Sequence, residues 1–250
     1  MEIKKVSKYF WSVMRKSLII YYSICMLFLL LSVLFTINTK GEVTISGGEF
    51  STVIFSFVAG IAMFKEIFHF IKANNISRKT FLIGTALSII PISGVMSIID
   101  IIINRLYNLF TKSPTIYDMG FTDYNIVSGM LGEVWVQQND IITIINTFLF
   151  QMSQYLMFFA LGSAIAMIYY KCNKFMKIVV SISPVMAIIM ISVYMYNYPY
   201  IANKITRFME YILGINPNNV YAPILTFIVS FVLLTGVSYL LIRKMVVKEK

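Results

Sequence analysis

"IKANNISRKTFLIG", Ile71–Gly84, interrupts a long apolar stretch with Lys72, Arg78 and Lys79, two asparagines and a serine. The runs on either side, Phe50 to Ile71 and Phe81 to Ile103, are each long enough to cross a hydrocarbon core of about 30 Å, which takes about 20 helical residues. A short cationic turn between two such runs predicts a membrane hairpin. The rest of the chain repeats the pattern, with further runs at Leu18 to Ile37, Ile141 to Tyr170, Ile178 to Tyr196 and Ala222 to Ile242.

Composition agrees with that reading. Of 250 residues, 58% are hydrophobic and only 13% charged, far from the about 25% charged of an ordinary soluble domain. The expected fold is therefore an all-α polytopic membrane protein of six transmembrane helices, forming one transmembrane domain over residues 1–250. The formal charge of +10 would send a soluble protein toward nucleic acid, but here its distribution matters more. With the N-terminus placed in the cytoplasm, sixteen of the 21 Lys and Arg fall on the cytoplasmic side. Lys40, Arg105, Lys112, Lys204 and Arg207 are left outside. The positive-inside rule then puts both termini in the cytoplasm, and an even number of spans satisfies it.

Residues 1–17, "MEIKKVSKYFWSVMRKS", set Val6, Phe10, Val13 and Met14 along one stripe with Lys4, Lys5, Lys8 and Arg15 mostly elsewhere. That pattern predicts a basic interfacial helix before the first span. Beyond the fifth span, Ile205, Phe208, Met209, Ile212 and Leu213 recur at spacings of three and four, ahead of Gly214 and "NPNN". A short outer helix over 201–213 follows, too short to cross the bilayer and expected to lie flat or re-enter. The outer loop 104–140 is too polar to span. Cys25 and Cys172 read as packing residues.

Catalytic chemistry is poorly provided for. One histidine, His69, excludes a His-based metal cluster, and neither a zincin motif nor a phosphate-binding glycine loop occurs. No enzyme activity, cofactor or metal is expected. Among the acidic residues only Asp100, in "SIIDIIINR", lies inside a span, with Arg105 about five residues on, close enough to pair with it or to snorkel to the interface, so a carboxylate relay for proton-coupled transport is not expected. Asn146, Ser153 and Gln154 share a face of the fourth span and could line a conduit. Hydrogen bonding between helices explains them equally well. The small-residue pairs Gly84/Ser88 and Gly162/Ala166 mark sites of close helix approach.

The end of the second span, "FKEIFHFIKANN", has two faces. Phe64, Ile67, Phe68 and Ile71 form one; Lys65, Glu66, His69 and Lys72 form the other. The helix can thus run out past the headgroups, turn at Asn75 or Ser77, and restart with Arg78 and Lys79 at the lipid surface. A protruding elbow of this kind suits a membrane subunit that a soluble partner pushes; simple headgroup binding by Arg78 and Lys79 is the plainer reading.

Taken together, the basic N-terminal helix, six spans, the Asn74–Gly84 motif N-x-x-S-R-K-T-F-x-x-G, "LGSAIAMIYYK" at the end of the fourth span and the short outer helix resemble the ABC-2 type permease subunits of bacterial ATP-binding cassette exporters. The resemblance implies a bacterial cell-membrane protein that exports an amphipathic or apolar substrate, such as a peptide, an antibiotic or a lipid-like molecule. It implies a separate ATPase subunit docking on the elbow, at Glu66, His69, Lys72, Asn75, Arg78 and Lys79, and a second permease subunit, identical or not. Membrane lipid is the remaining partner, and nucleic acid is not one. The competing reading from a different class is a non-transporting membrane protein, such as an immunity factor or the anchor of a signalling complex.

Overall fold

In the computed structural model, residues 2–39, 47–122, 136–215 and 218–243 are described, without the side chains of 37–39, 71 and 72. Eight helices account for most of them: α1 (Glu2–Thr39), α2 (Phe50–Ala73), α3 (Arg78–Tyr107), α4 (Ile116–Phe121), α5 (Ile141–Lys171), α6 (Lys174–Asn197), α7 (Pro199–Ile212) and α8 (Tyr221–Arg243). Six of these, all but α4 and α7, are long and apolar enough to cross a membrane. The chain is a multi-pass helical membrane protein.

Residues 1–17 do not form a helix of their own. α1 runs unbroken from Glu2 to Thr39, which at about 1.5 Å per residue is roughly 57 Å. The reason is local: no glycine or proline interrupts the segment, so nothing ends the helix at the start of the apolar run. The predicted stripe is also less interfacial than expected. Val6, Phe10 and Met14 are fully buried in the main core, with Val13 packed at its edge. A Cβ on Gly84 of α3 would sit 2.9 Å from Val6, so the missing side chain is what lets α1 lie against α3.

At the centre stands α5, with α2, α3 and α8 packed around it and α1 on the outside of α3. Its contact with α2 is the most extensive among the described helices. A Cβ added to Gly60 would meet the Phe159 carbonyl oxygen at 2.3 Å, and one on Gly162 would meet that of Phe57 at 2.1 Å. Two helix backbones approach this closely only where neither presents a side chain. α6 differs from every other long helix, because none of its residues is buried.

Beyond the expected ends, α7 stops where the glycine predicted. The Ile215 amide donates to the Glu210 carbonyl at 2.9 Å and the Gly214 amide to that of Tyr211 at 3.1 Å, the paired bonds of a Schellman cap. Gly214 takes φ +68°, and a side chain there would collide with the Asn219 carbonyl. At 14 residues, α7 spans only about 21 Å. The segment 104–140 is partly helical: 104–107 complete α3, and α4 is held by a reciprocal capping box between Thr115 and Asp118.

Candidate functional site: the elbow and the polar interior

The elbow joins α2 to α3. Asn74 closes the end of α2, its side-chain amide donating to the Phe70 carbonyl at 2.9 Å. Asn75 follows with φ +52°, a left-handed conformation that asparagine tolerates better than most residues. Ser77 then caps α3 by accepting from the Thr80 amide at 3.1 Å. The turn thus uses both residues singled out from the sequence, Asn75 to reverse the chain and Ser77 to restart the helix.

The two faces of α2 separate as expected. Phe64, Ile67 and Phe68 are buried, whereas Lys65, Glu66 and His69 are exposed. Lys72 lies on the same helix, but its side chain is outside the described residues. Behind the exposed face sits an aromatic cluster that crosses three helices. Phe64 and Phe68 of α2 meet Phe81 of α3 and Tyr170 of α5 at centroid separations of 5.5–6.4 Å. Tyr9 of α1 stacks on Phe70 at 3.9 Å. Each such pair adds about 0.5–1.5 kcal/mol beyond the area it buries, so the end of α2 is fastened to α1, α3 and α5 together.

Arg78 has a role that the sequence did not foretell. Its guanidinium donates to the carbonyls of Ile242 at 3.2 Å and Arg243 at 2.7 Å. Both carbonyls belong to the last described residues of α8. Arg78 therefore ties the elbow to the C-terminal helix. Asn75 and Lys79 are exposed beside it.

The opposite half of the bundle encloses a polar interior. Asp100 of α3 accepts from the Tyr155 hydroxyl of α5 at 2.6 Å and from Thr52 of α2 at 3.2 Å. Tyr21 of α1 extends the network, 2.8 Å from both Thr52 and Ser51. Ser97 of α3 donates to Gln151 of α5 at 3.1 Å, and Ser56 of α2 to the Tyr155 carbonyl at 2.8 Å. The expected pairing of Asp100 with Arg105 does not form, for a geometrical reason. Five residues on, a helix has turned about 500°, which leaves the two side chains roughly 140° apart.

Glu49, unremarked in the sequence, caps this region from just before α2. It is 6% exposed and accepts from the Ile116 amide at the start of α4. Burial pushes its carboxyl up to about 7, against the hydrogen bonds that would lower it. Where the sequence offered only Asp100, the described residues hold three buried carboxyl groups, Glu49, Asp100 and Asp118.

Of the three conduit candidates, Ser153 and Gln154 are buried side by side and Asn146 is half-buried. Ser153 is buried and donates to the Phe150 carbonyl of its own helix at 2.8 Å. Gln154, also buried, leaves its carbonyl oxygen without a hydrogen-bond partner, and Asn146 lies by the Tyr117 hydroxyl of α4. Gln151, Thr52 and Tyr155, which the face argument passed over, carry more of the polar contact between helices. No group of three or more metal-ligating side chains exists among the described residues, and Cys25 and Cys172 form no disulfide. No family model, curated protein or solved structure matches the chain.

Proposed function

We propose that the chain is the permease subunit of an ATP-driven exporter, with the elbow between α2 and α3 as the place where a separate ATPase subunit pushes. The observation that carries this reading is the combination at the elbow of an exposed polar face, Glu66 and His69, with a rigid attachment behind it. An exposed basic turn alone would serve for headgroup binding. Here the aromatic cluster and the Arg78 hydrogen bonds connect the turn to α1, α3, α5 and α8, so a displacement at Glu66 is passed to those helices. In this scheme the chain supplies path and lever and performs no chemistry. Both termini and the elbow face the cytoplasm of a bacterial cell, and two permease subunits flank the path, each gripped by one ATPase. The wide exposed apolar surface suits an amphipathic or apolar cargo.

Purification of the tagged chain in gentle detergent from its native host, with mass spectrometry of the eluate, tests the proposal. A co-purifying subunit with a phosphate-binding loop is expected, lost when Glu66, His69 and Lys72 are replaced together by Ala. Recovery of the intact chain without any ATPase, in several detergents and in nanodiscs, would favour the non-transporting alternative.

A further inference from the structure

α8, Tyr221–Arg243, is about 35 Å long and meets a different part of the molecule at each end. At the elbow, the Arg78 guanidinium donates to the carbonyls of Ile242 and Arg243, and the Ile242 side chain is fully buried in the main core. At the other end, the Thr226 hydroxyl shares its proton between the Ala222 carbonyl of its own helix, at 2.9 Å, and the Ile212 carbonyl that ends α7, at 3.1 Å. The Asn219 amide donates to the Gly214 carbonyl at 2.9 Å. A Cβ on Gly214 would stand 2.1 Å from the Asn219 carbonyl oxygen and 2.8 Å from Pro223. The end of α7 and the start of α8 therefore form one closed corner.

Between these ends, packing takes over. α8 lies along α5, and Ile224, Phe227 and Phe231 turn toward the two hydrophobic clusters, Phe227 with its ring 5.9 Å from that of Phe150. Among the described residues, the side-chain hydrogen bonds that join α8 to other helices are those at its two ends. Midway the packing is also incomplete: Phe231 and Thr235 line a cavity of about 30 Å³ together with Ala86 of α3 and Ala160 and Ser163 of α5. That is room for a water molecule. Apolar contacts in lipid give a helix little preference for one position along its neighbour over the next. A helix tied at both ends and only packed along its length shifts lengthwise as a unit, by the small sliding of packed helices known as shear.

We propose that α8 is a connecting rod between the elbow and α7, with Arg78 and the Thr226 corner as its two couplings. A shift of the elbow along the bundle moves α7, and a shift of α7 moves the elbow. Arg78 is then a positioning residue, and its neighbour Lys79, which is exposed, is not one. Only the use of the rod rests on the exporter reading, in which it carries the push of an ATPase to the opposite side of the bundle; the coupling itself is a property of the isolated chain.

Hydrogen–deuterium exchange of the purified chain in nanodiscs, read by mass spectrometry, tests the proposal without any ATPase and so separately from the capture experiment above. Arg78→Gln should speed exchange over residues 209–215, at the far corner, by about fivefold, the factor that one ordinary hydrogen bond represents. Exchange over 150–160 of α5 should stay at the wild-type rate. Arg78→Lys, which keeps the charge, should fall between, and Lys79→Gln should leave 209–215 unchanged. Coupling between two sites is reciprocal, so Thr226→Val should speed exchange over 77–81 at the elbow, and this variant decides the matter if Arg78→Gln does not fold. An effect confined to the mutated end in either variant, an equal acceleration over α5, or the same response from Lys79→Gln would overturn the proposal.

Discussion

α5 and α6 follow one another in the chain, are both long and apolar enough to cross a membrane, and share no other property. α5 is the less apolar of the two, with a mean hydropathy of 1.4 against 2.3, yet it forms the centre of the bundle. Beside the apolar Phe150, Leu156, Phe159 and Met167, its buried surface holds Thr147, Gln151, Ser153, Gln154, Tyr155 and Gly162. α6 buries nothing; Ser183 and Ser192 turn back on their own backbone, to Val180 and Ile188, and Ser181, which donates to Lys177, has one partner outside the helix, the Tyr169 hydroxyl of α5. The lesson is that hydropathy says which helices cross, whereas polar and small residues say where a helix stands. Lipid tails are as apolar as leucine, so apolarity gives one helix no preference for another, and close packing with interhelical hydrogen bonds decides.

Several substitutions would break this contrast if it were wrong. The largest effect is expected at the α2–α5 crossing, where Gly162→Leu would force the Phe57 carbonyl aside and cost about 3 kcal/mol. A thermal-unfolding midpoint in detergent close to that of the wild type would show that the helices do not approach as described. Asp100→Ala comes next, because it strands the hydroxyls of Tyr155 and Thr52 without their acceptor, at about 1–3 kcal/mol for a buried group left unpaired. Tyr155→Phe removes one bond of the same network and should cost about 1 kcal/mol, read by the same midpoint.

Glu49 gives the interior a pH signature. Its carboxyl is raised by burial from 4.5 to about 7, so the folded protein holds a proton that the unfolded chain has already released in that interval. The stability that this proton brings is fully present below about pH 4.5 and is lost as pH rises through about 7. Glu49→Gln should flatten that part of the stability profile between pH 5 and 8. The smallest effect belongs to α6, where Ser183→Leu should change stability by less than about 0.5 kcal/mol, since the hydroxyl serves only its own helix. A large loss there would mean that the Ser183 face of α6 packs against a partner.

Much of the architecture was legible in the sequence because its signals are local. Run length placed the six long helices to within a few residues at most ends, two-sided patterning separated Phe64, Ile67 and Phe68 from Glu66 and His69, and Gly214 marked the end of α7 through its backbone conformation. The interior was not legible, because its partners are distant along the chain. Asp100 meets residues 48 and 55 positions away, while Arg105, only five away, points elsewhere on the helix. Neither the Arg78 contact with α8 nor the burial of Glu49 leaves a mark in any window of sequence. The misjudged break after residue 17 has a different origin: charge pattern predicted an interfacial helix, but an end needs a breaker, and α1 contains none.

A photo-crosslinking amino acid placed singly at Glu66 of the elbow, or at Lys204 of α7, tests the central claim most directly. After irradiation of native membranes, the account predicts a crosslinked ATPase subunit from position 66 and none from position 204. Crosslinking from neither position, or from both alike, would contradict the assignment of the elbow as the point where the ATPase grips.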